Sequence, residues 1–303
     1  MYKNIRAAVV GSINMDLILN MKKVPDLGEN LLGTNYGYAN GGKGANQATA
    51  LANLGASVRM IGKVADDENG KALMENLKIK DIDVSGIDTN GSQTGLAVII
   101  LDGEGRNRIV VYEGANAEID KDCAVKSLVD YKPDLLLVQF ETNEDVVVGC
   151  VNEAIKNNIT TVIDCGPAKA FSLEKMQGAD IISPNESETE ALTGIYPDSD
   201  ENILKASKIL KERSRAKFVV LKLGDRGCAV YDGEELKSLP PYKTTVVDTT
   251  AAGDCFTGAM ALEYLKSGDI YTACDMGNKA GAIAVSRMGA EGSMPTIEEI
   301  LSI

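Results

Sequence analysis

Apolar, strand-like runs alternate with segments of helical period from the first residues to about residue 286, and this alternation constrains the fold more than any other feature. Buried strands separated by helices pair in parallel, so the expected class is α/β with a mostly parallel central sheet. The pattern predicts strands over 7–10, 135–140, 160–164, 180–183 and 217–223, and helices over 44–54, 69–78, 144–157, 186–193 and 202–214. Gly55, Gly194 and Gly268 follow helical segments, where a C-terminus favours glycine.

Two regions break the alternation, at about 17–38 and 94–112. In the second, 95–101 and 107–112 flank Asp102-Gly103-Glu104-Gly105, which reads as a hairpin. These strands lack partners in a helix-flanked sheet, so a small separate sheet serving as a lid is expected. With no internal repeat or low-complexity linker, residues 1–303 read as one α/β domain with lid strands inserted.

Composition then narrows the function. A formal charge of −13 gives no general attraction to nucleic acid or an anionic membrane, which favours a small-molecule ligand. No stretch approaches the roughly 20 apolar residues of a membrane span. The six cysteines form no C-x-x-C pair, and the first residues resemble no signal peptide, so a reducing cytoplasmic setting is expected. The chain has no histidine, which removes the usual general base and the histidine-dependent nucleophile arrangements. Proton transfer falls to a carboxylate, Lys, Tyr or Cys.

The strongest local motif is Val247-Asp248-Thr249-Thr250-Ala251-Ala252-Gly253-Asp254-Cys255-Phe256-Thr257-Gly258-Ala259, ahead of a helical pattern closing at Gly268. Small residues at 251–253 let backbone N–H groups of Ala252 and Gly253 approach an anion at a helix N-terminus. Asp254 stands at its lip. Taken alone, Asp254 reads equally well as a helix-start acid. A second motif, Asn40-Gly41-Gly42-Lys43-Gly44-Ala45-Asn46-Gln47-Ala48, nearly satisfies a P-loop from Gly37, but Gly44 stands where the magnesium-binding Ser or Thr belongs. Its glycines, Lys43 and Asn46 suit a polyhydroxylated ligand, with a tight loop before a packing helix as the plainer reading. Gly11-Ser12-Ile13-Asn14-Met15-Asp16 follows the first strand, and Gln139-Phe140-Glu141 ends another, where ligands bind in open α/β sheets. Pro184-Asn185-Glu186-Ser187-Glu188 reads as a helix start, and Lys222-Leu223-Gly224-Asp225-Arg226-Gly227 as a turn after a strand.

In this order the motifs resemble the ribokinase family of carbohydrate kinases, over essentially the whole chain. The resemblance implies a three-layer sandwich with a mostly parallel central sheet, a small β-sheet lid, and phosphoryl transfer from ATP. The Thr249–Asp254 form resembles that of the family's ribose-phosphorylating members, so the implied acceptor is the 5-hydroxyl of D-ribose. Fructose, deoxyribose, adenosine or pseudouridine are alternatives within the family, and a non-catalytic sugar sensor lies outside it.

The resemblance also implies the roles. Asp254 is the base, an ordinary Asp of pKa about 3.9 and fully ionised at neutral pH, with Ala252 and Gly253 forming the anion hole. Asn14, Asp16, Gly42, Lys43, Asn46 and Glu141 grip the sugar. Asn185, Lys222, Gly224, Gly227, Ala252, Gly253 and Asn278 bind the nucleotide, although Asn278 replaces a more usual His. Asn185 and Glu188 help to hold Mg²⁺. Asp248, Thr250, Ala284, Arg287, Gly289 and Ser293 hold a monovalent cation, K⁺, several through backbone carbonyls. Lid pairing between subunits implies a homodimer.

Overall fold

All five apolar runs picked out by the period become strands of one large sheet. The computed structural model describes residues 2–104 and 106–303. In chain order the first half contains β1 (Arg6–Val10), β2 (Asn14–Asn20), β3 (Asn35–Gly41), α1 (Lys43–Asn53), β4 (Ser57–Ala65), α2 (Glu68–Ile79), β5 (Asp83–Gly91), β6 (Gly95–Leu101) and β7 (Asn107–Tyr112). There follow α3 (Lys121–Tyr131), β8 (Leu135–Gln139), α4 (Glu144–Lys156), β9 (Thr160–Asp164), β10 (Ile181–Ser183), α5 (Glu186–Thr193), α6 (Asp200–Ser214), β11 (Phe218–Lys222), β12 (Cys228–Tyr231), β13 (Leu236–Leu239), α7 (Ala252–Ser267), α8 (Ile270–Val285) and α9 (Ile297–Leu301).

The large sheet runs β13-β12-β11-β10-β9-β8-β1-β4-β5, parallel throughout except for the β11-β12-β13 edge. Side chains alternate across it. Ala7, Val9, Leu135 and Leu137 pack with α1, α2, α7, α8 and α9 on one face, while Ala8, Val10, Leu136 and Val138 pack with α3, α4, α5 and α6 on the other. Each such buried Val or Leu side chain contributes about 1.5–3 kcal/mol, and covering both faces makes the three layers.

The two irregular regions pair with each other as a second sheet, β3-β2-β6-β7. The hairpin strands fall at 95–101 and 107–112 as expected, while Gly105 of its turn lies outside the described residues. The other pair differs from the expected 17–38: β2 begins at Asn14 and β3 runs on to Gly41. Polar residues at 14, 16 and 40 hid the strand pattern: Asn14 and Asp16 face the site rather than an apolar core, and Asn40, opposite Met15, bonds Glu291 at 3.2 Å.

β1, β8, β9, β10 and β11 are parallel neighbours, so their C-terminal ends open on one edge. The segments leaving them carry Ser12, Glu141, Gly166, Asn185 and Gly224. Helix α1 reaches the same edge only because Gly42 and Gly44, on either side of its first residue, lack side chains. A β-carbon on Gly42 (φ 89°) would lie 2.8 Å from Ser12 O and Asn14 N, and one on Gly44 would lie 2.7 Å from the Gly11 carbonyl carbon and Ser12 N. The glycines face the chain's own 11–14 segment and let it pack directly on the helix.

Gly44→Ala is therefore expected to lower unfolding free energy by about 1–3 kcal/mol, whereas Gly37→Ala, whose β-carbon meets nothing within 4 Å, stays within about 0.5 kcal/mol. Urea denaturation of both variants checks the difference.

Candidate active site

Helix α7 starts abruptly. Ala251 takes a left-handed conformation (φ 59°) as N-cap, without a capping side chain, and the expected pair of anion-hole donors is corrected: Ala252 N–H donates to the Thr249 carbonyl at 3.3 Å, which leaves the Gly253 end of the turn facing a cavity. Residues Gly253 and Asp254 sit in that turn and line the cavity, of about 520 Å³, with Lys43, Asn185, Glu188, Lys222, Gly224 and Thr249. Such a helix start attracts anions.

Asp254 is only 4% exposed. Its Oδ1 accepts from Gln47 Nε2 at 3.0 Å and its Oδ2 from Asn46 Nδ2 at 3.1 Å. Burial raises its pKa to about 6, opposed by the Lys43 charge and both amides and reinforced by Asp164. The ordinary carboxylate pKa expected from sequence is thus corrected: desolvation makes Asp254 a stronger base that is still largely ionised at neutral pH.

Behind Asp254 lies Asp164, 1% exposed at the C-terminal end of β9. It pairs with Lys222 Nζ at 2.9 Å and accepts from Gln47 Nε2 and Thr257 Oγ1, both at 3.0 Å, and from Gly166 N–H at 3.1 Å. Although burial opposes its charge, Lys222 and Lys43 hold its pKa below the usual carboxylate value. Lys43, against the cost of burial, is held protonated by Asp254, Asp164, Glu188 and Glu141. No carboxylate lies within ion-pairing distance of its ammonium among the described residues. This cation shares the cavity with Asp254 and the helix start, leaving it available to an anion.

On the lid side, Glu141 accepts from Ser12 Oγ and from Lys43 N–H, the latter at 3.0 Å. Burial and the Glu141 charge raise the pKa of Asp16 to about 7. Asn14, 2% exposed, accepts from Asn116 Nδ2 at 2.7 Å, and Asn116 also accepts from Ile13 N–H at 2.9 Å. Asn46 Oδ1 is buried with no partner, the arrangement of an acceptor reserved for a ligand hydroxyl.

The remaining expected residues form two groups. Asn185 caps α5, and both Glu188 oxygens accept from it, at 2.8 and 2.9 Å; burial raises the Glu188 pKa. Both residues reach the cavity as hard oxygen donors suited to magnesium, although no cluster of three acidic, Cys or His side chains among the described residues could hold an ion alone. Asp248 accepts from Thr250 N–H and Oγ1 and from Gly289 N–H, which hold its pKa low despite burial. Val285 carbonyl ties this loop to the end of α8, near Ala284, whose carbonyl accepts from Arg287 N–H at 3.1 Å. Ser293 bonds Ala290 in the next turn, and the Arg287 guanidinium pairs with Glu299 at 2.5 Å. Carbonyl and carboxylate oxygens at this loop fit a weakly hydrated monovalent cation.

Asn278 and Gly227 are not brought into the cavity. Asn278 Nδ2 donates to the Pro240 carbonyl at 3.1 Å, and a β-carbon on Gly227 would meet Leu239 and Pro240, so the two share the Pro240 strap instead. Sequence reasoning missed Asp164, Gln47 and Asn116 as site residues. An acid ending a buried parallel strand was a usable signal for Asp164; nothing local marked Asn116.

Residues 4–297 match the model of the pfkB family carbohydrate kinase. The chain is 35% identical over 299 residues to a ribokinase of Bacillus subtilis, covering 97% of this chain and 98% of that one. It is also 35% identical over 301 residues to a bifunctional ribokinase/ribose-5-phosphate isomerase A of Fructilactobacillus sanfranciscensis, of which it spans 55%. The solved structure of an Arabidopsis thaliana ribokinase complexed with ribose and ATP superposes with a TM-score of 0.90 at 29% identity, covering 100% of this chain and 98% of that one. The chain belongs to the pfkB family of carbohydrate kinases.

Removing Asp164 leaves Lys222 buried without its partner. Asp164→Leu is expected to lower stability by about 3–5 kcal/mol. The double variant Asp164→Leu/Lys222→Met recovers part of that loss, because the orphaned charge goes with its partner. Urea unfolding of the three variants checks this; purely additive losses would contradict the pairing.

Proposed function

We propose that this pfkB-family kinase transfers the γ-phosphoryl group of ATP to the 5-hydroxyl of D-ribose, giving ribose 5-phosphate and ADP. The observation that carries the reading is the placement of Asp254, a buried carboxylate at a helix start that shares one cavity with Lys43. The similarity to ribokinases along nearly the whole chain supports ribose as the acceptor.

The sugar is held by Asn14, Asp16, Gly42, Asn46 and Glu141, with Lys43 at the border between sugar and phosphate. These contacts do no chemistry but fix the attacking oxygen. As that oxygen bonds to the γ-phosphorus and the bond to the ADP oxygen breaks, its proton passes to Asp254. A loose transition state depends more on charge stabilisation than on base strength. Lys43 and the Gly253 N–H supply such charge at the transferring oxygens. Asn185, Lys222 and Gly224 line the cavity that takes the nucleotide's phosphates, and Gly227 and Asn278 stand outside it beside Pro240. Asn185 and Glu188 would help to hold Mg²⁺, which would neutralise phosphate charge. Asp248, Thr250, Ala284, Arg287, Gly289 and Ser293 would hold K⁺, whose charge would steady the loop that leads into α7.

The small sheet serves as the lid over the sugar and as the contact with a second copy. Its exposed Tyr36, Tyr38, Ile109, Val110, Val111 and Tyr112 support that role. Buried free thiols and the lack, among the described residues, of a helix able to cross a membrane support a cytoplasmic setting.

ADP release with ATP, Mg²⁺ and K⁺ tests the reading across ribose, fructose, deoxyribose and nucleosides. Ribose is expected to give the highest kcat/KM, and Asp254→Asn to lose about 10²–10⁴-fold in kcat. A higher kcat/KM for another acceptor overturns the choice of ribose. Because the base works ionised, kcat/KM should fall as pH drops through about 6. A flat profile down to the ordinary carboxylate range would contradict the role of burial.

A further inference from the structure

Gln47 is fully buried, and its amide is shared between two carboxylates. Its Nε2 lies 3.0 Å from Asp164 Oδ2 and 3.0 Å from Asp254 Oδ1, so both amide protons are committed. An ionised carboxylate only accepts, so the side chain cannot flip without setting its carbonyl against two acids. Gln139, also fully buried, completes the chain by donating Nε2 to Gln47 Oε1 at 2.6 Å.

The arrangement is poorly explained as packing. Gln139 Oε1 is left buried with no partner, a state that costs about 1–3 kcal/mol. Gly11 is needed to make room, since a β-carbon there would fall 1.9 Å from that oxygen. Two like-charged carboxylates are also drawn to one donor. An apolar pair at 47 and 139 would fill this volume without those costs, but it would let the Asp254 carboxylate rotate.

We propose that Gln47 is a positioning residue for phosphoryl transfer: its amide clamps the Asp254 carboxylate by Oδ1 and braces it on Asp164, while Gln139 fixes the direction of that amide. The inference rests on Asp254 being the base. Asn46 holds Oδ2, so the clamp leaves one orientation of the carboxylate plane for the incoming hydroxyl. The charged groups facing Asp254 are Lys43 from α1 and Asp164 from β9, with Lys222 from β11 behind Asp164. All three stay in place when Gln47 is replaced by a side chain of similar volume.

The test is steady-state kinetics of Gln47→Met, Gln139→Met and the double variant, with Asp254→Asn as reference. Gln47→Met should lower kcat on the order of 10²-fold while KM for ATP and ribose changes less than about threefold. The acid limb of kcat should move to higher pH, because a donor that favours the ionised base is lost. Gln139→Met should give a smaller effect of the same kind, and the double variant should match Gln47→Met, because Gln139 acts only through Gln47. Gln139→Met alone reads the same signature if Gln47→Met does not fold. Wild-type kcat and pH dependence in both single variants, equal losses in kcat/KM arising from KM, or effects that multiply in the double variant would overturn the proposal. If Asp254→Asn keeps full activity, the base assignment fails and takes this inference with it. If Asp254→Asn is inactive while Gln47→Met is unimpaired, only the inference fails.

Discussion

The buried pairing of Lys222 with Asp164 underlies the whole site. Each ion alone in this interior would carry a desolvation penalty of several kcal/mol, so neither is tolerable without the other. Their contact at 2.9 Å joins the ends of β9 and β11, two strands that flank β10 in the sheet. Around it gather Thr257 from α7, Gln47 from α1 and the Gly166 N–H. Four separate parts of the chain are thereby held at one point, and Asp254 is held with them.

The cluster is not balanced within itself. Among the described residues, Lys43 sits near carboxylates but within ion-pairing distance of none, and Asn46 Oδ1 is buried without a donor. Burial also keeps Asp254 less acidic than an ordinary Asp. A folded protein that served stability alone would pair these groups or replace them. A phosphate beside Lys43, with a hydroxyl beside Asn46 and Asp254, satisfies all three. The site is therefore complementary to its ligands rather than to itself, at some expense in stability.

Much of this was legible in the residues. The alternation of apolar runs marked the five central strands and the hairpin, since buried strands carry their own pattern. It missed the start of β2 and the end of β3, because Asn14 and Asp16, which serve the site, and Asn40, which bonds Glu291, break the apolar period. The motif around Asp254 was visible because an anion site needs small residues next to a helix start. Gln47 and Asp164 were not, since their meaning comes from contacts with residues 207 and 117 positions apart. Asn278 shows the opposite limit: it stands in a suggestive position, yet its side chain is taken by the Pro240 carbonyl. Cation sites built from carbonyl oxygens leave almost no trace in side-chain identity.

This cavity passes a phosphoryl group directly to the primary hydroxyl of ribose. Phosphorus NMR of the product formed from ATP and D-ribose tests it most directly. Direct transfer gives a new phosphomonoester resonance, split by the two protons on C5, growing in step with ADP. Release of inorganic phosphate alone, or a new resonance coupled to the single proton on C1, would contradict it.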